Sequence, residues 1–277
     1  MKTSHQALGA PNLVEKARFF SKFAARLLAH LLRAYGYFCY RTSRFDRSAE
    51  AELSLRATWD KGLPTVYTFW HDEFLTLSLN AFCRRLQFPA CIANDAFGGK
   101  VVALAWAAHG APVVEIKRQE AREVRLARIR DALLEQRRLA IAADYGAPWF
   151  KARPTAQQLA ASSGGYVTAM HLHATRNVVV GLGGWRVRVP TPFNHYVLHL
   201  SAPMQADAAT PETVGQALWS LRERARQPVA LAAGDNPKKR TGVVRAVRRV
   251  GQLAAQALLG GSRAHSGAPR SCGTEAA

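Results

Sequence analysis

Between residues 47 and 205, β-prone apolar runs alternate with stretches of helical periodicity, and that alternation restricts the chain to a small set of folds. The strand-like runs are 65–70, 90–94, 112–116, 139–143, 166–174, 177–183 and 195–200, and the helical patterns are about 47–60, 72–85, 99–109, 118–137 and 155–163. Elements in this order predict an α/β fold: a mixed, mostly parallel sheet flanked by helices. Residues 209–227 add an amphipathic helix opened by Thr210-Pro211-Glu212, because a capping hydroxyl followed by proline suits a first helical turn.

Charge divides the chain differently. The net charge is +19. Residues 1–48 carry nine Lys/Arg against two acids and residues 236–277 carry eight against one, while residues 49–235 carry 21 against 16. Two basic arms therefore flank a nearly balanced domain, an organisation of 1–46, 47–235 and 236–277. In the first arm, residues 13–40 predict a helix. Phe20, Phe23, Leu27, Leu28, Leu31, Tyr35 and Phe38 recur at steps of three or four, beside a second stripe of Arg18, Lys22, Arg26, His30 and Arg33. A Phe/Leu face next to a basic face suits a helix lying in an anionic membrane interface, and it equally suits a helix packed on the domain. The second arm, KKRTGVVRAVRRVGQLAAQALL, is a basic amphipathic stretch followed by a Gly/Ser/Ala-rich tail expected to be disordered. Pairing basic charge with large apolar side chains favours an anionic membrane surface over nucleic acid, and no zinc-finger or RNP-type reader pattern occurs in the core.

The cysteines Cys39, Cys83, Cys91 and Cys272 form no Cys-x-x-Cys pair, so a reducing compartment is expected. The opening MKTSHQALGAPN has no apolar signal core, and no uncharged apolar run approaches the ~20 residues that span a bilayer. A soluble or peripheral cytoplasmic chain is the expectation.

Four segments at the edges of the α/β pattern carry chemistry. Thr65-Val-Tyr-Thr-Phe-Trp-His71 is a buried-type strand ending in an imidazole. Ala93-Asn-Asp-Ala-Phe-Gly-Gly-Lys100 is a strand-to-helix turn containing Asp95. Gly110–Arg118 is a strand leading to Lys117 and Arg118, and Leu139–Pro148 is a buried strand ending in Asp144, Tyr145 and Gly146. Ligands of open α/β sheets bind at the carboxyl ends of the strands, so these groups are candidates to converge there. Taken singly, each has a plainer account: a surface histidine, an Asn-Asp turn cap, a solvated basic helix start, a strand exit.

In this order the segments resemble the lysophospholipid (glycerol-phosphate) acyltransferase superfamily, in particular a bacterial branch with a Phe-Trp-His motif, here Phe69-Trp70-His71. Gly110–Arg118 is similar to the family's glycine-then-basic block, and Asp144-Tyr-Gly-Ala-Pro148 to its acidic-Gly-Pro block with an inserted tyrosine. Pro190-Thr-Pro-Phe193 before the strand 195–200, with Trp185 upstream, is similar to a later Pro-x-Pro-Phe block. The likeness covers about residues 60–205.

The resemblance implies acyl transfer without cofactor or metal. His71 would be the general base, taking a proton from a lipid-like acceptor that attacks an acyl thioester of coenzyme A or acyl carrier protein. Lys117 and Arg118 would bind an acceptor phosphate, and Asp144 and Gly146 would shape the acceptor pocket. Thr76 stands where the widespread family motif has its aspartate, five residues after the histidine, leaving Asp95, Asp72 and Glu73 as carboxylates to orient the imidazole. Asp95 is preferred, on the expectation that its strand adjoins the strand of His71; the side chain of Asp72 should diverge from its neighbour's. The implied location is the cytoplasmic side of the inner membrane, peripherally bound. A catalytically inactive lipid-surface protein of the same fold is the alternative. A hydrolase is disfavoured because no Gly-x-Ser-x-Gly elbow occurs.

Overall fold

The computed structural model describes residues 13–78, 89–108, 110–117, 119–144, 149–182 and 185–225, with backbone alone at 13–22, 97–98, 182 and 185. In chain order the elements are α1 (Leu13–Thr42), β1 (Arg44–Arg47), α2 (Ala49–Thr58), β2 (Thr65–Phe69), a 3-10 turn (His71–Glu73) and α3 (Phe74–Ser78). There follow β3 (Ala90–Asn94), α4 (Phe97–Ala107), β4 (Val113–Ile116), α5 (Arg122–Gln136), β5 (Arg138–Ala142) and α6 (Thr155–Ser163). The last are β6 (Tyr166–Ala174), β7 (Val178–Leu182), β8 (Trp185–Val189), β9 (His195–Leu200), β10 (Met204–Gln205) and α7 (Pro211–Arg224).

The main sheet has the order β1-β9-β6-β2-β5-β3-β4, with β10 pairing on β6, and β7 and β8 form a separate hairpin. Pairs β1/β9, β6/β2, β2/β5, β5/β3 and β3/β4 are parallel, and β6/β9 and β6/β10 are antiparallel. The fold is thus the expected α/β arrangement. Helices cover both faces, which is why β2 reads as an unbroken buried run rather than an alternating one. On one face, Val66, Leu139, Ile141 and Val167 pack with Leu133 of α5, Leu159 of α6 and Leu218 of α7. On the other, Tyr67, Phe69, Leu172 and Leu198 pack with Leu55 of α2 and Trp106 of α4.

The expected boundary after residue 46 falls inside β1, which pairs in parallel with β9 from Arg44↔His195 to Arg47↔Leu198. Four polar-edged residues carry no periodicity of their own; the sheet edge recruits them. The Pro190–Phe193 block is a structural corner. The Tyr196 hydroxyl donates to the Thr191 carbonyl at 2.7 Å and accepts from the Thr191 N–H at 2.8 Å, and the Tyr35 hydroxyl of α1 donates to the Pro190 carbonyl at 2.6 Å.

Helix α1 packs on the domain along one side and leaves large apolar side chains exposed on another. Ala25 and Ala29 are buried against Val101 and Ala105 of α4, small side chains that allow close helix approach. Phe23 is 59% exposed, Leu27 51%, Leu31 58% and Phe38 47%, far more than a core stripe allows, and Arg26, His30 and Arg33 are exposed beside them. The patch continues onto exposed Phe193, which meets Phe38 edge to face at 6.0 Å. Among the described residues, no helix is long and apolar enough to cross a membrane. The basic stretch from Lys238 and the tail beyond it lie outside the described residues.

Candidate active site

Strands β2, β5, β3 and β4 are parallel neighbours, so their carboxyl ends share one edge. Their registers pair Phe69 with Ala142, Ala140 with Cys91, and Asn94 with Ile116. Carried just past the strand ends, this alignment puts His71, Asp144, Asp95 and Lys117 in one row, in that order. The four candidate segments therefore do meet at the edge where α/β sheets bind ligands.

The order within the row corrects one premise. Asp95 does not end the strand next to β2: β5 lies between β2 and β3, two strand spacings or about 10 Å from axis to axis. The carboxylate on the adjoining strand is Asp144. The expectation failed because strand order cannot be read from sequence order in a crossover fold. Asp95 is exposed at the turn into α4. Lys117 is also exposed, just past the end of edge strand β4, where its N–H donates to Glu120 at 3.2 Å, and Glu120 is ion-paired with Arg128 at 2.9 Å. Arg118 and Gly146 lie outside the described residues. Gly99 has a packing reason: a Cβ there would run into the Asn94 backbone carbonyl.

Asp144 is almost wholly buried and anchors the site backbone. Its Oδ1 accepts from the His71 N–H at 2.7 Å and its Oδ2 accepts from the Phe150 N–H at 3.0 Å. It thereby ties the end of β2 to the segment after β5. Burial pushes the Asp144 carboxyl above its ordinary range, against the lowering effect of those two N–H donors. Phe150 holds a left-handed backbone, φ 60°, a conformation costing about 1–2 kcal/mol for a residue with a Cβ. The hydrogen bond from its N–H to Asp144 and its ring, packed against Trp70 at 5.7 Å and Trp219 at 5.5 Å, hold it there.

The His71 imidazole lies between aromatic rings, 6.2 Å from Phe74 and 5.7 Å from Trp149. Burial lowers its pKa, opposed in part by the Asp144 charge. The neutral, base-competent form is favoured at neutral pH. Phe74 in turn contacts Trp106 at 5.8 Å, and both line an apolar cavity of about 70 Å³ with Leu55, Trp59, Phe69 and Leu200. That volume holds two or three methylene-sized groups, taking roughly 30 Å³ for a water-sized one. A neutral imidazole thus stands beside an apolar recess.

Asp72 and Glu73, the other carboxylates available to His71, are engaged elsewhere. Asp72 Oδ2 accepts from Arg188 at 3.1 Å and from Arg222 at 3.0 Å. Glu73 is 1% exposed and meets Nδ1 of His171, itself 2% exposed, at 2.9 Å. Thr76 is buried, and its hydroxyl donates to the Arg188 carbonyl at 3.1 Å, a structural use of the position. Asp72, His171, Arg188 and Arg222 line a second, polar cleft absent from the expectations. The available signals were two acids directly after an apolar strand, histidines at alternate positions of buried β6, and Arg186 and Arg188 at alternate positions of β8.

The sequence matches no family model and no curated protein.

Proposed function

We propose that this protein is a membrane-peripheral acyltransferase that moves a fatty acyl group from a thioester of coenzyme A or acyl carrier protein to a hydroxyl or amine of a lipid-like acceptor. The observation that carries this is the placement of His71: a single imidazole held neutral by burial, at the carboxyl edge of the sheet, beside an apolar recess. His71 takes the acceptor's proton as its oxygen or nitrogen attacks the thioester carbonyl. The tetrahedral intermediate then expels the thiolate, which recovers a proton from the imidazolium. Asp144, rather than Asp95, is the carboxylate assigned to support His71. It sits on the adjoining strand, fixes the His71 backbone and supplies the charge that partly offsets the effect of burial. Lys117, farther along the same row, is assigned with Arg118 and Gly146 to acceptor binding by resemblance.

The pH dependence follows from the shift. Because the His71 pKa lies below its ordinary value, acyl transfer should persist to lower pH than a free imidazole allows, and fall as pH drops through the lowered pKa. Asp144→Asn removes the charge that raises that pKa, so the acidic limb of the kcat/KM profile should move to still lower pH. A limb that moves upward would exclude Asp144 from this role.

The exposed Phe23/Leu27/Leu31/Phe38 stripe and its basic flank are assigned to an anionic membrane, on the cytoplasmic side of the inner membrane. Deleting the helix is a poor test, because Ala25 and Ala29 pack on α4. Leu27→Glu combined with Leu31→Glu changes only exposed positions. Sedimentation with vesicles of anionic phospholipid should show reduced binding with an unchanged circular dichroism spectrum. Wild-type binding should weaken with salt as the Debye length falls from ~10 Å at 0.1 M to ~3 Å at 1 M, leaving an apolar residue of affinity. Undiminished binding by the double variant would shift the contact to the basic stretch around Lys238–Arg249.

The deciding experiment is lipid mass spectrometry of cells with and without the protein, paired with thiol release from acyl thioesters by the purified chain. An acylated lipid that requires His71 supports the proposal. Vesicle binding with no thioester consumption would point instead to a catalytically silent protein on the same fold.

A further inference from the structure

The polar cleft lies on the opposite face of the sheet from the apolar recess. Residues alternate along β6: Met170 lines the recess, while His171 and His173 line the cleft. The cleft measures about 300 Å³, and Asp72, Arg186, Arg188, Arg222 and Phe150 complete its wall. Three guanidiniums and a single carboxylate line it.

Two of those guanidiniums are deeply buried, Arg188 at 7% exposure and Arg222 at 9%. Both spend a hydrogen bond on the same oxygen, Asp72 Oδ2. Nε and Nη1 of Arg222, and Oδ1 of Asp72, are buried with no hydrogen-bond partner among the described residues. The rings of Phe150 and Trp219 lie 5.2 and 5.3 Å from the Arg222 guanidinium; they supply π contact but no lone-pair acceptor. Glu73, hydrogen-bonded to His171, adds a second negative charge that acts on Arg222. Burying a charge is costly unless it is paired, and here three guanidiniums stand against the two carboxylates of Asp72 and Glu73. Exposed Arg186 stands at the cleft two residues from Arg188 on β8, extending the positive field outward. Asn177 and the His173 ring add neutral hydrogen-bonding groups; burial and the neighbouring His171 push the His173 pKa down to about 4.

We infer that this cleft is a binding site for a compact phosphate dianion, either a small phosphate or a phosphate-monoester headgroup, held by Arg222, Arg188 and Arg186. Guanidinium forks match phosphate oxygens in pairs, and the unpartnered Arg222 donors and the exposed Arg186 leave cationic donors for an anion to meet. A cleft of this volume takes a ligand of roughly ten non-hydrogen atoms, at ~30 Å³ for each water-sized group. The site is independent of acyl transfer at His71, although it shares a wall with it: Phe150, which lines the cleft, donates its N–H to Asp144.

The test is isothermal titration of the full chain at low salt with inorganic phosphate and, separately, with dihexanoyl phosphatidic acid below its micelle concentration. Saturable binding of both identifies a small phosphate, and binding of the lipid alone identifies a headgroup; either supports the site. Arg186→Gln, at an exposed position, should weaken binding by about tenfold, the loss of one charge-assisted hydrogen bond. Arg222→Gln should abolish it, while Arg130→Gln on the exposed face of α5 should leave it unchanged. Absence of saturable binding for both probes would overturn the inference, as would wild-type affinity in both the Arg186 and Arg222 variants. If Arg222→Gln fails to fold by circular dichroism, wild-type affinity in Arg186→Gln alone overturns it.

Discussion

Replacing His71 with alanine is expected to lower acyl-transfer turnover by about 100-fold or more, the usual contribution of a general base, while the protein stays folded. The imidazole is only partly buried, and its neighbours include the rings of Phe74 and Trp149. What holds the strand end in place is the His71 backbone N–H, bonded to Asp144, and alanine keeps that N–H. Activity and stability should therefore separate. Thiol release from an acyl thioester in the presence of acceptor lipid measures the first, and urea unfolding the second. Near-normal turnover in a folded His71→Ala protein would remove His71 from the chemistry. Collapse of the fold would mean that the ring's packing had been underestimated.

The largest stability loss should come from Asp72, adjacent in sequence and opposite in role. Asp72→Ala leaves the guanidiniums of Arg188 and Arg222 buried without their shared acceptor. Breaking a buried charged pair from one side costs about 3–5 kcal/mol. The lower end of that range is expected here. Burial and the nearby Glu73 both push the Asp72 carboxyl upward in pKa, so its removal relieves a repulsion as it strands the cations. Urea midpoints at constant m-value would report the loss. A change within experimental error would mean that solvent replaces the carboxylate at the cleft. Added phosphate offers an internal check: a ligand that binds the arginines should raise the midpoint of the wild type by mass action.

Much of the fold was written in local chemistry. Strands β2, β3, β4, β5, β6, β7 and β9 coincide with apolar, β-prone runs, and helices α5, α6 and α7 with their periodic stretches, because each buries a face whose spacing follows its own backbone repeat. Strands β1 and β8 were not legible. Arg44–Arg47 has no apolar pattern, and in Trp185–Val189 the alternate arginines read as surface until Arg188 is seen buried against Asp72. The amphipathic character of α1 was visible in sequence, but not that alanines on one side would dock on α4 while Phe23, Leu27 and Leu31 stayed exposed.

The candidate site divides in the same way. The identity of His71, Asp95, Lys117 and Asp144 as groups at strand ends is a local property, since each follows an apolar run. Their order along the edge is not, because parallel strands joined by helical crossovers need not lie side by side in chain order, and the placement of β5 between β2 and β3 substitutes Asp144 for Asp95 beside His71. The polar cleft is wholly tertiary. Asp72, His171, Arg188 and Arg222 come from separate elements, and the interactions that define them span from about 100 to 150 residues of chain. By itself the sequence determined most of the segments that become strands in the parallel core and which side chains stand at their ends. The tertiary structure alone decided which of those side chains meet, because strand order and long-range pairing depend on how separate hydrophobic faces find one another, and no local repeat encodes that.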